Sequence, residues 1–370
     1  MRNILSFLGK IYDKRRDQGK RYKLKSILAL VIIGYMSGCN SLARICLLGK
    51  RLKKTDRIKL GFTGDQMPSH PTITEIMRKL DISEFEEMLG LIVKSYIGEE
   101  FTQISIDGKS INSTSNNKEG ILHLLSAYLP EVGGVLSQIR SVPAGGEIRA
   151  AETVLSKLNI ENKVITGDAM FAQEMLCHQI VSSSNDYIFK VKGNKKRIIG
   201  DIHEGFASCK DKNLDIAMYE SPVQKAHGRI ESRIIEALPV ARKYFGGWAN
   251  DTIQQFARIT RKCFNIKKQK HHEEVHYIVS SIPKERISPK KLLDFTVSHW
   301  QIENNLHRTR DTNFKEDICN IACYKSQQAN AALRNLAIFL LAKIHSSITA
   351  AIDLVAHNIK IAIPWLFRRT

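Results

Sequence analysis

The amino-acid sequence predicts a mixed α/β fold: a five-stranded sheet flanked by helices, preceded by a helical segment and interrupted by a strand-rich insertion. Three observations predict it. The first hundred residues carry apolar side chains at helical spacing, and from residue 101 the period shortens to that of strands. Beyond that point the elements run strand, strand, strand, helix, strand, helix, strand.

In the helical segment Leu24, Ile27, Leu28, Val31 and Ile32 share one face, with basic side chains around them. Thr72 and Glu75, after Pro68-Ser-His-Pro, have capping-box spacing and predict a helix start that turns Ile76, Met77 and Leu80 inward. Residues 1–98 thus read as a basic helical domain suited to a DNA groove. A helical cap with a solvated basic face is the alternative.

The strands are predicted over Gln103–Asp107, Leu122–Leu129 and Val135–Val142, then Lys163–Asp168 and Tyr187–Val191. Helices are predicted over Glu147–Leu158 and through Val181. The insertion, about 195–288, carries strands near Ile230–Leu238, Gln255–Arg261 and Val275–Ser281. Helical periodicity resumes at Pro289, where Phe295, Ile302 and Leu306 can share a face, and again over Ala329–Ile344. The main domain is therefore placed at 99–345, with a tail at 346–370.

Composition narrows the function classes. The chain has 56 Lys and Arg against 37 Asp and Glu, a net charge of +19 and a pI near 9.6. Sixteen of these cations fall in residues 1–60, against only Asp13, Asp17 and Asp56. Such an excess attracts polyanions, and nucleic acid is the first partner to consider. The apolar run Ile27–Tyr35 is shorter than the roughly 20 residues of a membrane helix, so no membrane partner is expected. Seven cysteines without a secretory signal imply reduced thiols and a cytoplasmic location. No GxxxxGK[ST] motif is present, so the chemistry is not expected to need ATP.

Asp107 and Asp168 each close an apolar strand, at Gln103-Ile-Ser-Ile-Asp107 and Val164-Ile-Thr-Gly-Asp168. On neighbouring strands of one sheet, two such carboxylates can come together, and hard cations such as Mg²⁺ relieve their repulsion. Glu303 supplies a third. It lies in His299-Trp-Gln-Ile-Glu-Asn-Asn-Leu-His307, where His299, Glu303 and His307 stand four apart on one helical stripe that Arg310 and Asp311 continue. A turn-forming Asp or an amphipathic helix with a solvated face is the structural alternative for each acid. His299 and His307 with Cys319 and Cys323 lack the close pair spacing of zinc sites.

In their order and spacing these segments resemble the H-repeat-associated insertion-sequence transposases, a branch of the DDE superfamily. The resemblance covers most of the chain. Its residues include Gly19-Lys-Arg-Tyr22, Pro68-Ser-His-Pro-Thr72, Ile106-Asp-Gly-Lys109, Gly167-Asp-Ala-Met170, Val191-Lys-Gly-Asn194, His227-Gly-Arg-Ile-Glu231 and His299-Trp-Gln-Ile-Glu-Asn304. It implies an RNase H-like catalytic core with Asp107, Asp168 and Glu303 as triad and ligands of two Mg²⁺ ions, Mn²⁺ being a substitute. It further implies cleavage of element ends at terminal inverted repeats, joining to target DNA, a homodimer in synapsis and a bacterial, nucleoid-associated location. Lys109, Lys192, Asn194, Lys195, Arg229, His299, His307 and Arg310 are the expected DNA contacts. A catalytically decayed or domesticated DNA-binding protein, or a host RNase H-like endonuclease, is the alternative.

Overall fold

The computed structural model describes residues 3–97, 101–115, 120–141, 146–211, 216–226, 228–240, 252–319, 321 and 323–368. The chain forms two compact units, one of Met1–Phe101, Asp107–Ala150 and Gln301–Thr370, the other of Thr102–Ile106 and Ala151–Trp300. This division differs from the sequence boundaries at 98 and 345. A strand, β1 (Gln103–Ile111), runs from one unit into the other.

The second unit is built on parallel pairing. β1 pairs with β4 (Val164–Gly167) from Gln103↔Val164 to Ile106↔Gly167, and β4 pairs in parallel with β5 (Asp186–Val191). The helix Glu174–Ser182 links β4 to β5, as a parallel crossover requires. The insertion supplies β6 (Ala217–Glu220), β7 (Gln224–Ala226), β8 (Arg229–Pro239), β9 (Gln255–Asn265) and β10 (Lys270–Ser280). These strands continue the sheet: β10 pairs antiparallel with β5, followed by β9, β8 and β6. The expected sheet of five is thus extended at its β5 edge. β9 and β10 overrun their predicted limits: the added arm of β10 is largely exposed and that of β9 only half-buried, so no apolar alternation marks them. Ile188, Ile235, Ile259 and Ile278 form a core under Leu292, Leu293 and Phe295 of the helix Pro289–His299. Each such burial stabilises by about 1.5–3 kcal/mol relative to exposure.

In the first unit β2 (Leu122–Leu129) pairs antiparallel with β3 (Gly134–Ser141) and neighbours β1. The order β3-β2-β1-β4-β5, with helix-linked parallel β4 and β5, is that of the expected RNase H-like core. The helix Leu24–Met36 is buried almost throughout, while Lys23, Lys50, Arg51, Lys53, Lys54 and Lys59 remain exposed. The helix near residue 70 begins earlier than its capping-box spacing suggests. Ser69 is the cap, accepting from the Thr72 amide, and the helix runs His70–Lys79. Among the described residues no single helix is long and apolar enough to cross a membrane.

The interior of this unit holds a charged cluster. Glu316 is fully buried between Arg310, at 2.7 Å, and Arg334, at 2.8 Å. Burial alone would raise the Glu316 pKa, but the two guanidinium charges outweigh it and hold the carboxyl below its ordinary range. Arg334 also lies over the Tyr35 ring, 5.0 Å from its centroid, and Tyr35 donates to Asn330 at 2.5 Å. Removing the carboxylate would leave two buried cations uncompensated. Glu316→Gln is therefore expected to lower the unfolding free energy by about 3–5 kcal/mol in urea denaturation. A loss below about 1 kcal/mol would show that the cluster does not hold this unit together.

Candidate active site

The β1–β4 pairing rests on a buried polar network in the second unit. Gln103 donates its amide to Thr166 Oγ1 at 2.9 Å and to the Phe295 carbonyl at 2.9 Å. Ser105 and Thr166 hydroxyls meet at 3.0 Å, and His299 Nδ1 lies 3.2 Å from Thr166 Oγ1. Ser298 donates to Gln103 Oε1 at 2.5 Å. Slipping one strand by one residue would break the Gln103–Thr166 and Ser105–Thr166 bonds and turn the strand's apolar side chains to its other face. Gly167 is required by packing: a Cβ there would meet Phe171 at 2.9 Å, Phe189 at 3.1 Å and Ile106 at 3.2 Å.

Asp168 follows β4 directly, as expected, and its backbone opens the short turn Ala169–Phe171. Its carboxylate lies 2.8 Å from the Lys190 ammonium and 3.7 Å from that of Lys192. Partial burial would raise its pKa, but the hydrogen bond and charge of Lys190, with help from Lys192, hold it below the ordinary range. It is thus kept ionised.

Asp107 does not end its strand, contrary to expectation, because β1 continues to Ile111. The continuation was masked by Lys109, a charged residue that is nonetheless buried, with its ammonium 2.7 Å from an Asp311 carboxylate oxygen. Asp107 Oδ1 accepts from the Gly108 amide at 2.9 Å, and Oδ2 lies 3.5 Å from His307 Nδ1. A Cβ on Gly108 would meet the Glu147 carboxylate at 2.5 Å, so that side chain lies against the backbone next to Asp107.

Glu303 is exposed in a π-helical turn, Ile302–His307, whose i→i+5 bonds widen the helix. Residues four apart no longer stack there, so the expected common stripe is broken. His299 and His307 are buried, and Arg310 is fully enclosed with Glu316, which leaves it no surface for DNA. Lys109 is likewise turned inward. Lys192 and Arg229 are exposed, and the half-buried Lys195 donates to Gln173 at 3.1 Å. The Asn194 side chain lies outside the described residues. Among the described residues no group of three or more His, Cys, Asp or Glu side chains is arranged to hold a metal ion.

Two residues near the acids were not foreseen. Lys190 carried a signal, since it interrupts the apolar strand Tyr187-Ile-Phe-Lys-Val191. Glu147 carried none, because its approach to Gly108 depends on tertiary packing.

Residues 100–340 match the family model described as the transposase DDE domain, and residues 5–91 match the model described as DDE_Tnp_1-associated. The chain belongs to the DDE transposase family, and its function is DNA transposition. Members carry out nuclease and transesterification chemistry on DNA. It is 26% identical over 353 residues to "Putative protein YbfL" of Escherichia coli strain K12, covering 92% of this chain and 90% of that one. It is equally 26% identical over 353 residues to "H repeat-associated putative transposase YhhI" of the same strain, again covering 92% and 90%. A piggyBac transposase synaptic complex with hairpin DNA is 11% identical with a TM-score of 0.44, covering 99% of this chain and 79% of that one.

Titration of His299 gives a test of the network. Burial first, and then Lys190, push its pKa from 6.5 down to about 4, with Asp168 acting in the opposite sense. The unfolded chain therefore binds more protons between these two values. The stability contributed by the neutral ring is complete above about pH 6.5 and is lost as pH falls toward about 4, up to about 3 kcal/mol. Denaturation in metal-free buffer across that range should show this slope, and His299→Gln should flatten it. An unchanged slope in the variant would assign the acid sensitivity elsewhere.

Proposed function

We propose that Asp107, Asp168 and Glu303 carry the metal-dependent cleavage of element ends and their strand transfer into target DNA. The observation that carries this reading is a register. Ile106 and Gly167 are partners in a parallel strand pair, and one aspartate follows each in the chain. Their chemistry fits the ions expected. All three offer hard carboxylate oxygens, Asp168 already draws two ammonium groups, and Glu303 is open to solvent.

Two Mg²⁺ ions held by these acids, or Mn²⁺ in their place, would supply the charge that activates an attacking hydroxyl and steadies the departing oxygen at phosphorus. Around them the chain's own groups divide the work. His307 stands beside Asp107 and limits the orientations of its carboxylate. Lys192, with its side chain 61% exposed beside Asp168, Lys195 and Arg229 provide charge for phosphates of the terminal inverted repeats. The exposed lysines and arginines of residues 1–60 add sequence-independent affinity, so binding should weaken steeply with salt. Cutting both ends in one complex requires two such sites, for which a homodimer in synapsis is the simplest source.

A duplex carrying the element's own terminal repeat should be nicked by the full chain in Mg²⁺ or Mn²⁺. Asp107→Asn, Asp168→Asn and Glu303→Gln should each lower the rate by more than about a hundredfold while leaving salt-dependent binding in place. Cleavage at the wild-type rate by any one of them would remove that residue from the triad. Tight binding by the unaltered chain without cleavage in any divalent ion would instead identify a DNA-binding protein without catalysis.

A further inference from the structure

Lys190 stands on β5 beside the end of β4, and it is only 9% exposed. Its ammonium is 2.8 Å from Asp168 Oδ1 and lies over the Trp300 ring, 4.8 Å from the centroid. A cation–π contact and a charge-assisted hydrogen bond thus hold one cation at this carboxylate from two sides. Strand register fixes the base of the side chain, since Thr166↔Ile188 and Gly167↔Phe189 are paired immediately before it. The more exposed Lys192 makes a longer contact, at 3.7 Å to Oδ2.

We propose that Lys190 is a positioning residue that competes with the divalent ion for Asp168. It holds the carboxylate in place and sets a threshold for cation entry. The proposal rests on the reading of Asp168 as a metal ligand. A divalent ion approaching Oδ1 must displace the ammonium or accept its repulsion at close range, and the Lys190 side chain, largely shielded from water, is screened less than a surface lysine. Metal is consequently held weakly by the protein alone. An arriving phosphodiester offers the ammonium a second anion, so nucleic acid lowers the threshold and metal is retained mainly in the DNA complex. Coupling of this kind is reciprocal, so metal should tighten DNA binding by the same factor.

The test is Mn²⁺ binding to the full chain without DNA, followed by electron paramagnetic resonance of free Mn²⁺, with thermal melting to establish that each variant is folded. Lys190→Met keeps an unbranched side chain, one atom shorter, beside Trp300 and removes its charge. It should tighten Mn²⁺ binding at least about tenfold, whereas Lys190→Arg, which retains the charge, should leave it near wild type. Adding Asp168→Asn to Lys190→Met should erase the gain. Adding a duplex should tighten Mn²⁺ binding to the wild type more than to Lys190→Met. Equal affinities for the wild type, Lys190→Met and Lys190→Arg would overturn the proposal, as would failure of all Lys190 variants to fold, which would make the residue structural. Asp168→Asn settles the underlying assignment separately. If it weakens Mn²⁺ binding while Lys190→Met has no effect, only the competition is wrong; if it changes nothing in any background, the ligand assignment falls with it.

Discussion

The parallel pairing of β1 with β4 is the constraint on which the rest of this structure depends. Only four residues of each strand take part, from Gln103↔Val164 to Ile106↔Gly167, and so short a ladder fixes its register weakly by hydrogen bonds alone. The register is fixed by what lies beneath it. Gln103, Ser105, Thr166, Ser298 and His299 form a buried network, and such a network stabilises only when its members are satisfied together. Above it, Gly167 leaves room for Phe171 and Phe189, which no other residue would do without displacing them. Packing below and above β4 therefore determines where Asp168 begins. The charge of Lys190 then determines the state in which that acid is held.

A different solution operates in the unit that contains Asp107 and Glu303. Here the chain after Glu303 is tied down by charge, through Arg310, Glu316 and Arg334, with all three side chains sealed from water. Burying ions is costly, and apolar residues of the same volume could stabilise an interior as well. The ion cluster adds direction, because planar guanidinium groups accept few arrangements around one carboxylate. It follows the π turn closely, so the widened helix at Glu303 is anchored on its C-terminal side by residues that cannot easily shift. Exposure of Glu303 and enclosure of Arg310 are two results of that arrangement.

Much of this architecture was legible in the sequence where local chemistry is strong. β2 spans Leu122–Leu129 as read from its apolar run, and the helix Pro289–His299 begins at the proline where helical periodicity resumes. The order of strands and helices up to Val191 was also legible, because each period is short and bounded by polar turns. What was missed depends on partners distant in the chain. The continuation of β1 past Asp107 rests on Lys109 finding Asp311, two hundred residues later. The π turn has no local signature, so a four-residue spacing suggested a continuous face that the wider helix does not possess. Arg310 was expected to contact DNA because it continues the helical stripe of Glu303, and only the folded chain reveals its enclosure with Glu316. Of the acids themselves, the sequence supplied the identities and the resemblance supplied the roles. The supporting lysine at Asp168 was visible only as a charge in an apolar strand.

The most direct test of a three-carboxylate centre is anomalous scattering from crystals of the full chain bound to its terminal-repeat DNA in Mn²⁺. The expected result is one or two strong peaks, each within about 2.0–2.3 Å of carboxylate oxygens from Asp107, Asp168 and Glu303. Peaks ligated by other side chains, with these three acids left uncoordinated, would contradict the assignment.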